Sequence, residues 1–274
     1  MEAPFTLIGY GEAGRSFAQA AAWRSAARVF DIKAMAQAYA EDGVIGCASL
    51  DEAFAGSAGA LSLVTADQAL IAAGQAAGAL SAGALFLDMN SVAPQTKQKA
   101  AELIVAAGGA YVDVAIMAPV NPAQLAVPLL LSGPAAPNAE AFVRALGFTN
   151  VRVVGDQIGT ASTIKMLRSV MYKGIEALTA ECLIACVRAG VSDEVIASFG
   201  EGWAQDANYR LDRMMVHGTR RSAEMAEAVK TLEALGVPAL LTRGTAERQA
   251  AIGALEVGAP PATLADKLER LMSA

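Results

Sequence analysis

The chain has 274 residues, with 27 Asp and Glu against 21 Lys and Arg, and a formal net charge of −6. That length buries a sizeable core in one or two domains, and the absence of a dense basic run argues against nucleic acid as a partner. A hydrophobic content of 54% and a mean hydropathy of +0.39 raise the question of a membrane, which the patterning answers.

Up to about residue 155, short apolar runs alternate with alanine-rich helical segments. Strands are expected at 5–8, 28–32, 44–47, 60–64, 84–88, 111–114, 128–131 and 151–154, and helices at 16–25, 33–39, 67–80 and 94–107. Alternation of this kind predicts a parallel, doubly wound sheet. The uncharged residues 68–87 read as a buried helix and a buried strand, because Gln68, Gln75, Ser81 and three glycines interrupt them. Residues 114–139 are also uncharged, but Pro119, Pro122, Pro128, Pro134 and Pro137 keep them from forming one helix. No membrane span is needed. The first residues have no basic stretch ahead of an apolar one, so they do not read as a secretory signal. Three cysteines suit a reducing cytoplasm better than a disulfide framework.

After Gly155 the texture turns wholly helical: 160–189 as one long helix, then 193–203, 207–215, 222–235, 239–252 and 262–272. The expected organisation is a Rossmann dinucleotide-binding domain over 1–157, α/β in class, and an all-helical substrate and dimerisation domain over 158–274.

Gly9, Tyr10, Gly11, Glu12, Ala13 and Gly14 follow the first strand directly and open a helix. In a GxGxxG turn the first glycine permits the tight bend, and the second lets backbone approach a pyrophosphate. The third packs helix on strand, while free N–H groups at the helix start face the phosphates. Alone the motif is weak; here both flanks are present. Asp31 ends the second strand, 22 residues beyond Gly9, where a carboxylate accepts hydrogen bonds from an adenosine ribose and repels a 2′-phosphate. The expected cofactor is therefore NAD, with NADP left open by Arg28 and Lys33 nearby. Thr65 and Asn90 stand at strand C-termini, where they either touch the cofactor or cap the following helix.

With that motif placed, most of the chain resembles the β-hydroxyacid dehydrogenase family, whose members act on 3-hydroxyisobutyrate and 6-phosphogluconate. The segments carrying the likeness are 9–14, 87–94 (Leu-Asp-Met-Asn-Ser-Val-Ala-Pro), 111–119 (Tyr-Val-Asp-Val-Ala-Ile-Met-Ala-Pro) and 159–165 (Gly-Thr-Ala-Ser-Thr-Ile-Lys). The resemblance implies a Rossmann domain followed by helices, a homodimer assembled through those helices, and Lys165 as the catalytic lysine. It also implies substrate contacts from Ser91 and from Met117, which stands where the family has Ser-Gly-Gly. Ser169 replaces the usual asparagine. Tyr172 lies where phosphogluconate dehydrogenases carry a catalytic glutamate, and so becomes a candidate proton donor. Arg220 falls in a region that approaches the cofactor in the family, where the usual lysine–aspartate pair is missing, and it joins Arg168 and Ser169 as a candidate substrate contact. These departures point to a divergent branch.

Hydride transfer from an alcohol requires a group that takes the hydroxyl proton and returns one in reverse. Lys165 is that candidate, and helical spacing puts Arg168, Ser169, Tyr172 and Glu176 on its face. A guanidinium at Arg168 matches a carboxylate. Solvated lysine and arginine on an ordinary helix would give the same spacing. Cys182 and Cys186 read as buried small residues rather than half a metal site. His217 before Gly218 reads as a helix end, and Arg220–Arg221 as a solvated helix start. The leading function is an NAD(P)-dependent dehydrogenase for a small hydroxy acid or related alcohol. Imine reduction on the same architecture and a non-catalytic NAD(P)-binding sensor or scaffold are the alternatives.

Overall fold

The computed structural model describes residues 4–33 and 35–273. Ala34, inside the helix expected over 33–39, and the first three residues, part of the leader reading, lie outside the described residues. The chain divides into two compact units, 1–165 and 166–274.

The first unit carries an eight-stranded sheet: β1 (Phe5–Ile8), β2 (Ala27–Phe30), β3 (Ile45–Gly46), β4 (Gly59–Ser62), β5 (Leu85–Asp88), β6 (Ala110–Ile116), β7 (Leu129–Ser132) and β8 (Val151–Gly155). Their order across the sheet is 3-2-1-4-5-6-7-8. The connecting helices are α1 (Glu12–Ala21), α2 (Ala36–Asp42), α3 (Leu50–Phe54), α4 (Ala69–Ala77), α5 (Pro94–Ala106) and α6 (Ala136–Ala145). All eight expected strands are present; α3 and α6 were not anticipated. Residues alternate across the sheet, so Phe5 and Leu7 join one apolar layer with Phe17, Trp23 and Phe148. Ile8 joins the opposite layer with Phe54, Phe86 and Ile104. A sheet buried on both faces explains why its strands read as nearly continuous apolar runs.

One expectation is corrected. The sheet is mixed, because β6 and β7 pair antiparallel. A parallel return needs a crossover of a dozen or more residues, usually a helix. Between these strands Pro119, Pro122 and Pro128 leave only a three-residue 3₁₀ turn, Gln124–Ala126. The chain therefore comes straight back. β8 then runs parallel to β7 by way of α6.

Helix α7 (Thr160–Ala189) is one continuous helix of 30 residues, as its pattern predicts, and the division between units runs through its second turn. The sequence instead puts the joint ahead of the helix, at 157/158. The first turn belongs with the sheet because strand residues bind its N-terminus. Ser132 Oγ accepts from Ala161 N–H at 3.0 Å, and Asp113 Oδ2 accepts from Ser162 N–H at 2.9 Å.

The second unit contains the rest of α7 with α8 (Ser192–Ser198), α9 (Trp203–Ala234), α10 (Leu240–Gly253) and α11 (Leu264–Met272). A second correction lies here. The helices expected at 207–215 and 222–235 are one 32-residue helix, so His217 is not at a helix end and Arg220–Arg221 do not begin one. Gly218 is a crossing point rather than a stop. A Cβ there would lie 2.4 Å from Gln249 O and 2.7 Å from Gly253 Cα, both on α10. Gly218→Ala should therefore destabilise the protein by about 1–3 kcal/mol through overpacking, despite alanine's better helix propensity. Gly244 sits in α10 with none of the described residues within 4 Å of its would-be Cβ, so Gly244→Ala should stabilise by roughly 0.5–1 kcal/mol. Urea denaturation of the two variants side by side checks both signs.

Candidate active site

The glycine loop is built as its residue types require. Gly9 has φ +89°, and a Cβ there would meet Leu63 O at 2.4 Å. A Cβ on Gly14 would meet Gly9 O at 2.5 Å, which lets α1 start tight against the strand. None of the described residues lies within 4 Å of the Cβ position of Gly11, so backbone is open to a ligand there. Tyr10, Gly11, Glu12, Arg15, Ser16, Gln19 and Met35 line a cavity of about 460 Å³ beside this loop. An open second glycine and a helix N-terminus fit the pyrophosphate of a dinucleotide, and the cavity beside them, which reaches Met35 beyond the end of β2, fits its adenosine-ribose end. Ala13 is half-buried against the adjoining core.

Asp31 joins the loop to the end of β2. Its Oδ2 accepts from Tyr10 N–H at 2.7 Å and its Oδ1 from Lys33 N–H at 2.8 Å. Arg28 turns away, donating through Nε and a terminal nitrogen to Glu52 O at 3.0 and 2.6 Å, while Lys33 is exposed. Behind the loop the Tyr10 ring is fully buried and its hydroxyl donates to Asp42. Burial, and then that carboxylate, push the Tyr10 phenol well above its ordinary range.

Register places the other sequence segments in one row. Ile8 pairs with Ser62, Ser62 with Asp88, Asp88 with Asp113, and Asp113 with Ser132. These positions form the edge from which the glycine loop emerges, and the same row receives the N-terminus of α7. From β1 to β6 is three strand spacings, about 14 Å.

A buried ionic cluster fixes that row. Lys97, fully buried on α5, donates to Asp88 O at 2.5 Å and Asp88 Oδ1 at 2.9 Å, and its ammonium lies 3.5 Å from Asp113 Oδ1. Tyr111 OH donates to Asp88 Oδ2 at 2.7 Å. Burial, followed by the two carboxylates, holds the Tyr111 phenol well above its usual value. Ser132 and Ser162 hydroxyls donate to Asp113 Oδ2 at 3.1 and 3.0 Å. Lys97 was not singled out by sequence. The signal was there: Ala100, Ala101 and Ile104, at +3, +4 and +7, form the buried stripe of α5.

Asn90 has a structural task. Its Oδ1 accepts from Val64 N–H at 2.6 Å and its Nδ2 donates to Ser62 Oγ at 3.0 Å, tying the ends of β4 and β5 together. Thr65 is exposed and donates to the Asp67 carboxylate. The Ser91 hydroxyl is buried with no hydrogen-bond partner among the described residues. Met117 packs against Ala115, Leu130 and Ala161, next to the start of α7.

Along α7 the expected polar face splits. Lys165 is half-buried in the second turn. Arg168 stacks 4.0 Å over the ring of Tyr172, which is 59% exposed. Ser169 is buried, and Glu176 leaves the expected substrate face altogether. Arg221 grips the Glu176 carboxylate through Nε at 3.1 Å and through a terminal nitrogen, and Gln249 donates to it at 2.9 Å. Arg221 is thus a half-buried ion-pair partner, not a solvated residue. Lys173 pairs with Glu224 at 2.5 Å; its ammonium is pulled below the usual range by burial, which Glu224 only partly offsets. Arg220 stays half-exposed, 4.0 Å from Glu224. Cys182 and Cys186 lie 4.0 Å apart, sulfur to sulfur.

Comparison with known proteins shows the family and the fold. Residues 4–147 match the family described as the NAD-binding domain of 6-phosphogluconate dehydrogenase, and 187–252 match a domain of unknown function, DUF1932. An uncharacterised 28.5 kDa protein of Methanothermus fervidus is 28% identical over 150 residues, 53% of this chain and 57% of that protein. The match thus spans little more than half of that relative's length. A solved structure, a conserved hypothetical protein of Sinorhizobium meliloti 1021, is 35% identical over 100% of this chain and 97% of its own, with a TM-score of 0.78. A 3-hydroxyisobutyrate dehydrogenase of Mycobacterium tuberculosis, solved with L-serine, superposes with a TM-score of 0.76 over all of both chains at 18% identity, a likeness of fold. Among the described residues, no helix is long and apolar enough to cross a membrane.

Proposed function

Because the chain belongs to the β-hydroxyacid dehydrogenase family, with a nicotinamide-dinucleotide-binding domain followed by a helical domain, we propose that it is an NAD-dependent oxidoreductase. The reaction is hydride transfer between nicotinamide and a small hydroxy acid or related alcohol, with Lys165 as general acid and base. One observation carries the reading: the register row that gives rise to the glycine loop also seats the first turn of α7, through Asp113 and Ser132. The dinucleotide turn and the helix bearing Lys165 are thereby fixed to the same edge of one sheet, the edge where open α/β sheets bind ligands.

Bound nicotinamide supplies the hydride acceptor or donor. The chain's own task is the proton. Lys165 Nζ takes it from the substrate hydroxyl during oxidation and returns it during reduction. Arg168, held flat on the Tyr172 ring, presents a guanidinium fork suited to a carboxylate, and the Tyr172 hydroxyl is a second proton donor within that pair. Ser91 and Met117 lie beside the row as substrate contacts. Asp31 favours the dinucleotide without a 2′-phosphate. Homodimer assembly through the helices, and a reducing cytoplasm suited to three free thiols, complete the reading.

The test is a screen of purified protein with NAD and NADP against hydroxy acids and alcohols, following absorbance of the reduced cofactor. Turnover with NAD and a hydroxy acid is the expected result. Activity confined to a ketone and an amine with reduced cofactor would replace it with imine reduction. Calorimetric NADH binding without turnover across both panels would favour the sensor.

A further inference from the structure

Arg15 is the only cation among the described residues lining the cavity at the glycine loop, and its charge is already spoken for. Its Nε donates to Asp42 Oδ2 at 2.7 Å and a terminal nitrogen to Glu41 Oε2 at 2.8 Å. Asp42 is the fixed member of this group, with a side chain only 6% exposed. Tyr10 OH donates to its Oδ2 and Gln19 Nε2 to its Oδ1, both at 2.9 Å. Burial alone would raise the Asp42 carboxyl, yet hydrogen bonds from Arg15, Gln19 and Tyr10 outweigh it and hold the group below the usual carboxylate range. Glu41 is half-exposed and is also tethered, by Gln37 Nε2 at 2.9 Å. Two carboxylates at the C-terminal end of α2 thus share one guanidinium of α1.

The consequence concerns charge. A ligand phosphate entering this cavity needs a cation with unspent donors. It meets instead a guanidinium whose Nε and one terminal nitrogen are already bonded to two carboxylates that offset its charge, with Asp31 fixed on the other side of Tyr10. We propose that Asp42 and Glu41, by holding Arg15, set the preference of this cavity for the dinucleotide that lacks a 2′-phosphate. Asp31 repels the phosphate at the ribose; Asp42 and Glu41 withhold the one lining cation that would compensate it. The inference rests on the dinucleotide reading above and deepens it.

The experiment titrates NADH and NADPH, by their fluorescence, into the wild-type protein, Glu41→Gln, the Glu41→Gln/Asp42→Asn double variant, and the double variant carrying Arg15→Ala. Amides keep the shape and some hydrogen bonding while removing two negative charges. The double variant should bind NADPH about tenfold tighter with NADH within about twofold of wild type, and Arg15→Ala should abolish the gain. Glu41→Gln alone, at an exposed position, should move the ratio about threefold and decides the matter should the double variant not fold. An unmoved NADH-to-NADPH ratio, equal gains for both nucleotides, or a gain that survives Arg15→Ala would overturn the inference while leaving the dinucleotide site intact. Wild-type protein that binds neither nucleotide would overturn the reading of the site, and the inference with it.

Discussion

Lys165→Ala should lower kcat by about 10²–10⁴-fold, the usual worth of a positioned acid–base group, while the NADH dissociation constant stays within about twofold. The reasoning is positional. Lys165 stands in the second turn of a helix whose N-terminus is held by Ala161 N–H to Ser132 and Ser162 N–H to Asp113, so its backbone is fixed relative to the sheet edge. Truncating the side chain leaves in place the hydrogen bonds by which Asp31 holds Tyr10 N–H and Lys33 N–H, and the steric fit of Gly9 and Gly14. Stopped-flow turnover together with a fluorescence titration separates the two quantities. If activity survives, the proton moves elsewhere, and Tyr172 is the next residue to change. A parallel loss of cofactor affinity would mean that Lys165 supports the site rather than the chemistry.

Lys97→Ala should cost about 3–5 kcal/mol, the penalty for stripping one partner from a buried charge cluster. Against a total stability of roughly 5–15 kcal/mol this is severe. Without the ammonium, the buried carboxylates of Asp88 and Asp113 occupy adjacent register positions with their one recorded cationic partner gone. Asp88 keeps Tyr111 OH on Oδ2 and Asn90 N–H on Oδ1, but the donors left to Asp113, from Ser132 and Ser162, all reach Oδ2 and none reaches Oδ1. The loss belongs to the charges rather than to the missing methylenes, so Lys97→Met with Asp88→Asn and Asp113→Asn should recover much of it. An unfolding free energy of Lys97→Ala, from urea denaturation, within about 1 kcal/mol of wild type would show the cluster to be energetically idle.

Much of this was legible in the chain. The strands announced themselves because burial on both faces makes each a short apolar run, and the three glycines did because each answers a separate steric demand. Asp31 followed from spacing. What escaped depended on contacts distant in sequence. The antiparallel β7 could have been read from the prolines of 119–128, which leave no room for a crossover helix. Gly218 suggests an ending by local propensity and becomes a crossing point only because Gly253 lies opposite it. Glu176 sits at a spacing that suits a substrate face, but its carboxylate is claimed by Arg221, 45 residues away. The Arg15–Asp42 contact likewise links two helices that sequence spacing alone does not bring together.

Capping α7 from the sheet also bears on the order in which the chain can fold. The carboxylate of Asp113 and the hydroxyl of Ser132 are buried well before their amide donors exist as structure, since Ala161 and Ser162 follow the last strand. During synthesis the eight strands can therefore be complete in length yet unfinished in their polar interior until residues 160–162 leave the ribosome. A fragment that stops at the last strand carries this defect permanently. One that continues through the first turns of α7 carries its own remedy, and the natural seam for dissecting the protein lies inside a helix rather than in the loop before it.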